Sequence, residues 1–224
     1  MARAPVTGAR EEILGRIRAS LRDVPDAERP QDVAVAREYG RDWLQSADAL
    51  VSRFLERVVD YGAGVRRVAR TDVTDAVTDI CRDLGLRRVV VPVELPDAWR
   101  PRAVEVLEDE HLTAAELDAI DGAITGCAGA IAETGTLVLD GQGHSGRRVV
   151  TLVPDHHVCI VGADQVRGSV PEAIAALAAS VAEKGVPVTL VSGPSASSDI
   201  ELSRVEGMHG PRNLVVVIVE DATA

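Results

Sequence analysis

The chain has 224 residues, about one and a half typical domains, with 46% hydrophobic and 26% charged residues, which excludes a disordered, collagen-like or multidomain assembly. Aromatic residues make up only 2%, and 24 basic against 35 acidic residues leave a net charge of −11, so nucleic acid is excluded as an expected partner. Lys184 is the only lysine, which removes a lysine-dependent P-loop, and the absence of ~18 consecutive apolar residues or of a leader-like start predicts a cytoplasmic protein without a membrane span.

In chain order, residues 9–22 place Ile13, Ile17 and Leu21 at i, i+4 spacing opposite Glu and Arg, which predicts an amphipathic helix. Pro25 and Pro30 mark a linker. Residues 1–31 are therefore expected to form a helical arm that packs on the body or docks on another subunit, and 32–224 the α/β domain. A second helix runs from a Ser46 cap to Tyr61, with Leu50, Phe54 and Val58 on one stripe, and ends at Gly62. A strand at 64–70, a helix at 72–84 closed by Gly85 and a buried strand at 87–92 form a βαβ unit, which requires a parallel sheet. Thr113 with Glu116 makes a capping box for a short helix. Strands are then expected at 122–126, 129–139, 148–153 and 157–161, too closely spaced for intervening helices and so antiparallel members of a mixed sheet. Ser169 with Glu172 forms a second box, opening a helix over 170–184, followed by strands at 186–191 and 214–220. The expected fold is α/β, with a mixed, mostly parallel open sheet and an N-terminal helical extension.

Cys81, Cys127 and Cys159 are widely spaced and form no CxxC pair, so they read as buried small hydrophobes, and no cofactor is expected in this chain. GQGHSG at 141–146 matches the dinucleotide fingerprint, yet the strand-like RRVVTLVP follows it where a helix is needed, so it reads as a glycine-rich hairpin loop. Along that strand Arg147 and Arg148 point to opposite faces, and one of them is expected to serve an anion pocket. Glu133, inside the apolar AETGTLVL, is either ion-paired, exposed at an edge, or used as a general base, acid or nucleophile, and Gly135 permits close approach of a backbone. SGPSASSDIE at 192–201 follows a strand and offers the hydroxyls of Ser195, Ser197 and Ser198 with free N–H groups to an anion, while Asp199 and Glu201 oppose one or cap a helix. The adjacent His156 and His157 diverge along a strand and cannot share a metal. His209, in the GMHGP loop, is either a hydrogen-bonded loop residue or a catalytic one.

The blocks GAITGCAGAIAETGTLVLD, GRRVVTLVPDHHVCIV and SGPSASSDIELSRVEGMHGPRNLVVVIVE, in this order, resemble the LUD domain of the lactate-utilisation protein C family, and REEILGRIRASL resembles that family's start. The resemblance implies the superfold shared by ribose-5-phosphate isomerase and CoA transferases, with a crevice at strand C-termini. It also implies participation, with iron–sulfur partner subunits, in oxidising L-lactate to pyruvate, this chain binding a small organic acid or assembling the complex. The fold analogy adds an alternative, an acyl-CoA or phosphosugar enzyme in which Glu133, followed by Thr134 and Gly135, acts as nucleophile or general base. The residues expected to converge on one cleft are Glu133, Thr134, Gly135, Gly193, Pro194, Ser195, Asp199, Glu201, His209, Gly210 and Pro211, with Arg147 or Arg148 as the anion partner.

Overall fold

A computed structural model of the chain describes residues 7–25, 27–29, 32–35, 46–198 and 204–220. The chain divides into two units, Met1–Gly40 and Arg41–Ala224. In the first, α1 (Thr7–Ser20) carries an exposed Glu12–Arg16 pair at 2.6 Å, one turn apart, and Ile13 and Ile17 are exposed. Such a pair contributes only a few tenths of a kcal/mol. No helix among the described residues is long and apolar enough to cross a membrane.

The second unit opens with α2 (Ala47–Asp60), whose first turn is capped by the Ser46 hydroxyl and whose buried stripe is Val51, Phe54 and Val58. There follow β1 (Gly64–Ala69), α3 (Val73–Asp83), β2 (Arg88–Val91), β3 (Glu105–Glu108), α4 (Ala114–Asp118) and β4 (Gly122–Thr125). The Thr113–Glu116 capping box forms as expected. Next come β5 (Gly129–Ile131), β6 (Thr136–Leu139), β7 (His156–Gly162), β8 (Val166–Arg167) and α5 (Val170–Lys184). The chain then forms β9 (Thr189–Val191), a ribbon of β10 (Ala196–Ser198) with β11 (Arg204–Glu206), and β12 (Asn213–Glu220).

Six strands make a wholly parallel sheet in the order β1-β12-β7-β4-β2-β3. The parallel pairing demanded by the βαβ reading is present, but β1 and β2 are not neighbours; later strands fill the gap that the α3 crossover leaves. The strands expected at 122–126 and 157–161 as antiparallel members are parallel neighbours, β4 and β7; antiparallel pairing occurs between β5 and β6 and between β6 and β9 in a second, four-stranded sheet, β8-β5-β6-β9, and in the β10–β11 ribbon. On one face of the parallel sheet, Val73, Val77 and Ile80 of α3 pack against Ile124, Ile160 and Val217. On the other, Phe54 of α2, Leu137 and Leu139 meet Cys159, Val216 and Ile218. The far face of the second sheet is covered where Ala173 of α5 meets Ile131 and Val138.

Four local expectations are corrected. Residues 129–139 are not one strand but a hairpin turning at residues 132–135, because Gly135 adopts φ +61°. Residues 148–153 hold a 3-10 turn, Arg148–Thr151, in which the Arg148 side chain bonds the Thr151 carbonyl instead of a neighbouring strand doing so. GQGHSG is not a hairpin loop: with a single helical turn at Gly143–Ser145 it belongs to the connection from β6 of one sheet to β7 of the other. The second capping box is absent, since Glu172 accepts from the Gly168 N–H and the Ser169 hydroxyl makes no cap bond.

Candidate functional site

The 3-10 turn decides what the two adjacent arginines do. Arg147 precedes it, and its Nε donates to Asp109 at 2.7 Å while a terminal nitrogen donates to the Leu112 carbonyl at 2.9 Å. The Asp109 carboxylate raises the pKa of this guanidinium above its ordinary value. Arg148, the first residue of the turn, sends one terminal nitrogen to the Thr151 carbonyl at 2.9 Å and to its hydroxyl at 3.0 Å, and the other to the His209 carbonyl at 3.4 Å. Half-buried, it has its pKa pushed down by desolvation.

Arg148 lies on the wall of a cleft of about 210 Å³ that opens between the two sheets, with lining from β9, from the start of β7 and from the start of β12. The loop after β9 is stitched to the segment before β12. Ser195 donates its N–H to the Pro211 carbonyl at 2.8 Å, and its Oγ accepts from the His209 N–H at 3.0 Å. Gly193 has φ +79°, and a Cβ there would stand 2.6 Å from that of Tyr61, so only glycine lets the loop lie against the end of α2. Gly193, Pro194, Ser195, His209, Gly210 and Pro211 thus share one cleft with Arg148, as expected for this part of the site. His209 is exposed at its rim, and its backbone supplies both of the contacts just described.

His157, which the sequence reading set aside, forms part of the same wall. It is 2% exposed, and its Nε2 lies 2.8 Å from the Thr125 hydroxyl. Burial first, then the charge of Arg148, lower its pKa from 6.5 to about 4, so at neutral pH it is an uncharged hydrogen-bonding group. The sequence carried a trace of it: strand alternation sets His157 beside Cys159 and Val161 on one apolar face, where a polar residue needs a partner.

The remaining expected residues lie elsewhere. Glu133 is exposed in the β5–β6 turn and, with Thr134, lines a separate depression of about 340 Å³ beside Arg57, Asp60 and Tyr61. Gly135 answers to packing: a Cβ there would stand 2.7 Å from that of Arg57 on α2. A hydroxyl chain, Thr134 to Thr136 to Ser192, each step 2.7 Å, joins this turn to the Arg148 cleft. Arg147 lines a third cavity, about 600 Å³, with Glu94, Asp109, Asp140 and the glycine loop. That cavity lies beyond the C-terminal ends of β2, β3 and β4, the position implied for a crevice in this kind of sheet. Its arginine is already occupied by Asp109, and its other charged lining is acidic, so it is poorly suited to an anion. Asp199 and Glu201 lie outside the described residues.

Cys81, Cys127 and Cys159 are all free and buried, as expected. Burial raises the Cys81 pKa to about 11, and its neighbour Cys127, together with burial, raises that of Cys159. Cys81 and Cys159 are packing thiols at neutral pH.

The LUD domain family model matches residues 51–219. The chain is 48% identical over 172 residues to lactate utilization protein C of Deinococcus radiodurans, a match covering 76% of this chain and 79% of that protein. It is 32% identical over 136 residues to the protein of the same name from Bacillus licheniformis, covering 57% and 55%. A crystal structure of a duf162 family protein from Deinococcus radiodurans is similar with a TM-score of 0.68 and 38% identity, covering 78% of this chain and 99% of that one. The chain belongs to the LUD domain family.

Proposed function

We propose that this protein works in lactate utilisation as the organic-acid-binding subunit of a system that oxidises L-lactate to pyruvate, with electron transfer carried by iron–sulfur partner subunits. The shared name of its relatives supports the process. The observation that carries the binding role is Arg148, a half-buried guanidinium held in one orientation by Thr151 on the wall of the inter-sheet cleft. Among the described residues three of its five N–H donors are engaged, which leaves two for a ligand. A fixed guanidinium fork in a poorly solvated site is the group best matched to a carboxylate. At about 210 Å³ the cleft is smaller than the about 300–1,000 Å³ of sites for larger ligands, which favours a three-carbon acid over a nucleotide-bearing thioester.

Calorimetric titration of the full-length protein with L-lactate tests this reading. Arg148→Gln is expected to weaken binding by at least about tenfold, the loss of one or more charge-assisted hydrogen bonds. An unchanged affinity in that variant, or no binding by the unaltered protein, would overturn the assignment of the cleft.

A further inference from the structure

The protons around His157 can be counted. A threonine hydroxyl has one proton to donate. The Thr125 oxygen stands 2.9 Å from the Gly126 carbonyl, which can only accept, and 2.8 Å from Nε2 of His157; with the proton given to the carbonyl, the threonine oxygen accepts and Nε2 of the imidazole donates. The ring is uncharged at neutral pH for the reasons given above, its burial and the nearby Arg148. With its single proton on Nε2, the other nitrogen, Nδ1, presents a bare lone pair. Nδ1 has no hydrogen-bond partner among the described residues, and the ring stands on the wall that also carries Arg148. In that tautomer the cleft offers two different recognition elements, a cationic donor fork and a neutral acceptor.

We infer that the cleft selects a small 2-hydroxy acid over the corresponding 2-oxo acid, Arg148 taking the carboxylate and Nδ1 of His157 accepting the hydrogen bond of the adjacent hydroxyl. Thr125 is the positioning residue: its committed proton fixes the imidazole tautomer. A 2-oxo acid would bring a carbonyl oxygen, itself only an acceptor, against the Nδ1 lone pair, leaving both without a proton between them. Sites built to hydrogen-bond a ligand hydroxyl reject analogues that lack one far more strongly than apolar pockets reject a changed methylene. The inference rests on the proposed role of the cleft as the organic-acid site, and the two can fail separately.

The test uses the full-length protein, titrated calorimetrically with L-lactate, pyruvate and propionate, with the His157 tautomer read from nitrogen-15 shifts of the imidazole. L-lactate is expected to bind at least about tenfold more tightly than either of the other acids, with the proton on Nε2. His157→Leu removes the acceptor and keeps an apolar side chain of comparable size on the buried wall, so it should abolish the preference for lactate and retain Arg148-dependent binding of propionate. Thr125→Val keeps the imidazole and removes its anchor; the tautomer should no longer be fixed, and the lactate-to-pyruvate ratio should fall. Cooperative thermal unfolding of both variants confirms that they fold. A proton on Nδ1, or pyruvate bound as tightly as lactate while Arg148→Gln still weakens both, would overturn the hydroxyl selection and leave the acid site standing. Failure of all three acids to bind would overturn the acid site and the selection together.

Discussion

The cavity of about 600 Å³ lies where open parallel sheets usually hold ligands, beyond the ends of β2, β3 and β4, whereas the cleft of about 210 Å³ opens between the two sheets. Each contains one of two consecutive arginines. In the larger cavity Arg147 is spent on Asp109, a carboxylate only 9% exposed, so its charge is cancelled inside the protein. In the smaller cleft the bonds of Arg148 go to a hydroxyl and two carbonyls, which orient the guanidinium and leave it without a carboxylate partner among the described residues. The difference between a structural and a binding arginine here is the partner, and one residue of displacement at the start of a 3-10 turn decides it. Volume is a poor guide beside that.

The comparison can be broken most directly through His157, the buried group whose pKa Arg148 helps to depress. Its value falls from 6.5 unfolded to about 4 in the native state, a difference equivalent to about 3 kcal/mol. Because the unfolded chain takes up the proton first, this stability is fully present above about pH 6.5 and is lost progressively as the pH falls towards 4. Denaturant unfolding at pH 7, 5.5 and 4.5 should show the decline, and His157→Gln should flatten it. A variant as pH-sensitive as the unaltered protein would locate the effect in other groups.

Arg147→Gln sharpens the contrast from the other side. It leaves the Asp109 carboxylate with the Leu112 N–H at 3.2 Å as its remaining bond of those described, at an expected cost of about 1–3 kcal/mol in unfolding free energy. L-lactate affinity should stay within about twofold, because a neutralised arginine in another cavity has no carboxylate of the ligand to hold. The mirror pattern in Arg148→Gln, weakened binding with a smaller change in stability, would complete the pair. Equal losses of binding in both variants would show that the two cavities are not independent.

Much of the scaffold was legible because its determinants are local. Val51, Phe54 and Val58 repeat at helical spacing behind a Ser46 cap, and Thr113 with Glu116 closes a box within one turn. The βαβ pattern gave the parallel sheet for the same reason, although not the places of its strands, which depend on segments far along the chain. What escaped was set at long range. Residues 148–153 alternate like a strand, yet the turn they form is tied to the His209 carbonyl 61 positions away. Glu133 read as a strand residue because the sharp turn at Gly135 depends on packing against Arg57 of α2. The serine loop meets the GMHGP segment through bonds of the Ser195 N–H and Oγ, while Glu133, placed with them by the sequence reading, does not join them. His157 was passed over because its partner, Thr125, lies 32 positions away.

Glu133 supplies the smallest and most discriminating effect. Next to a glycine in a fold of this kind it invites the role of nucleophile, and a carboxylate in that role has to stand in the ligand cleft beside groups that stabilise developing charge. Here it stands exposed in a hairpin turn, in a depression distinct from the one that holds Arg148 and His157. Glu133→Gln should therefore change unfolding free energy by no more than about 0.5 kcal/mol, the range of ordinary surface substitutions, and L-lactate affinity by less than about twofold. The hydroxyl chain through Thr134, Thr136 and Ser192 is the one described route by which the turn could still influence the cleft. Thr136→Val interrupts that chain without touching Glu133. If Glu133→Gln weakened lactate binding and Thr136→Val did so equally, the turn would act through its hydroxyls; a loss confined to Glu133→Gln would return the carboxylate to the centre of the chemistry.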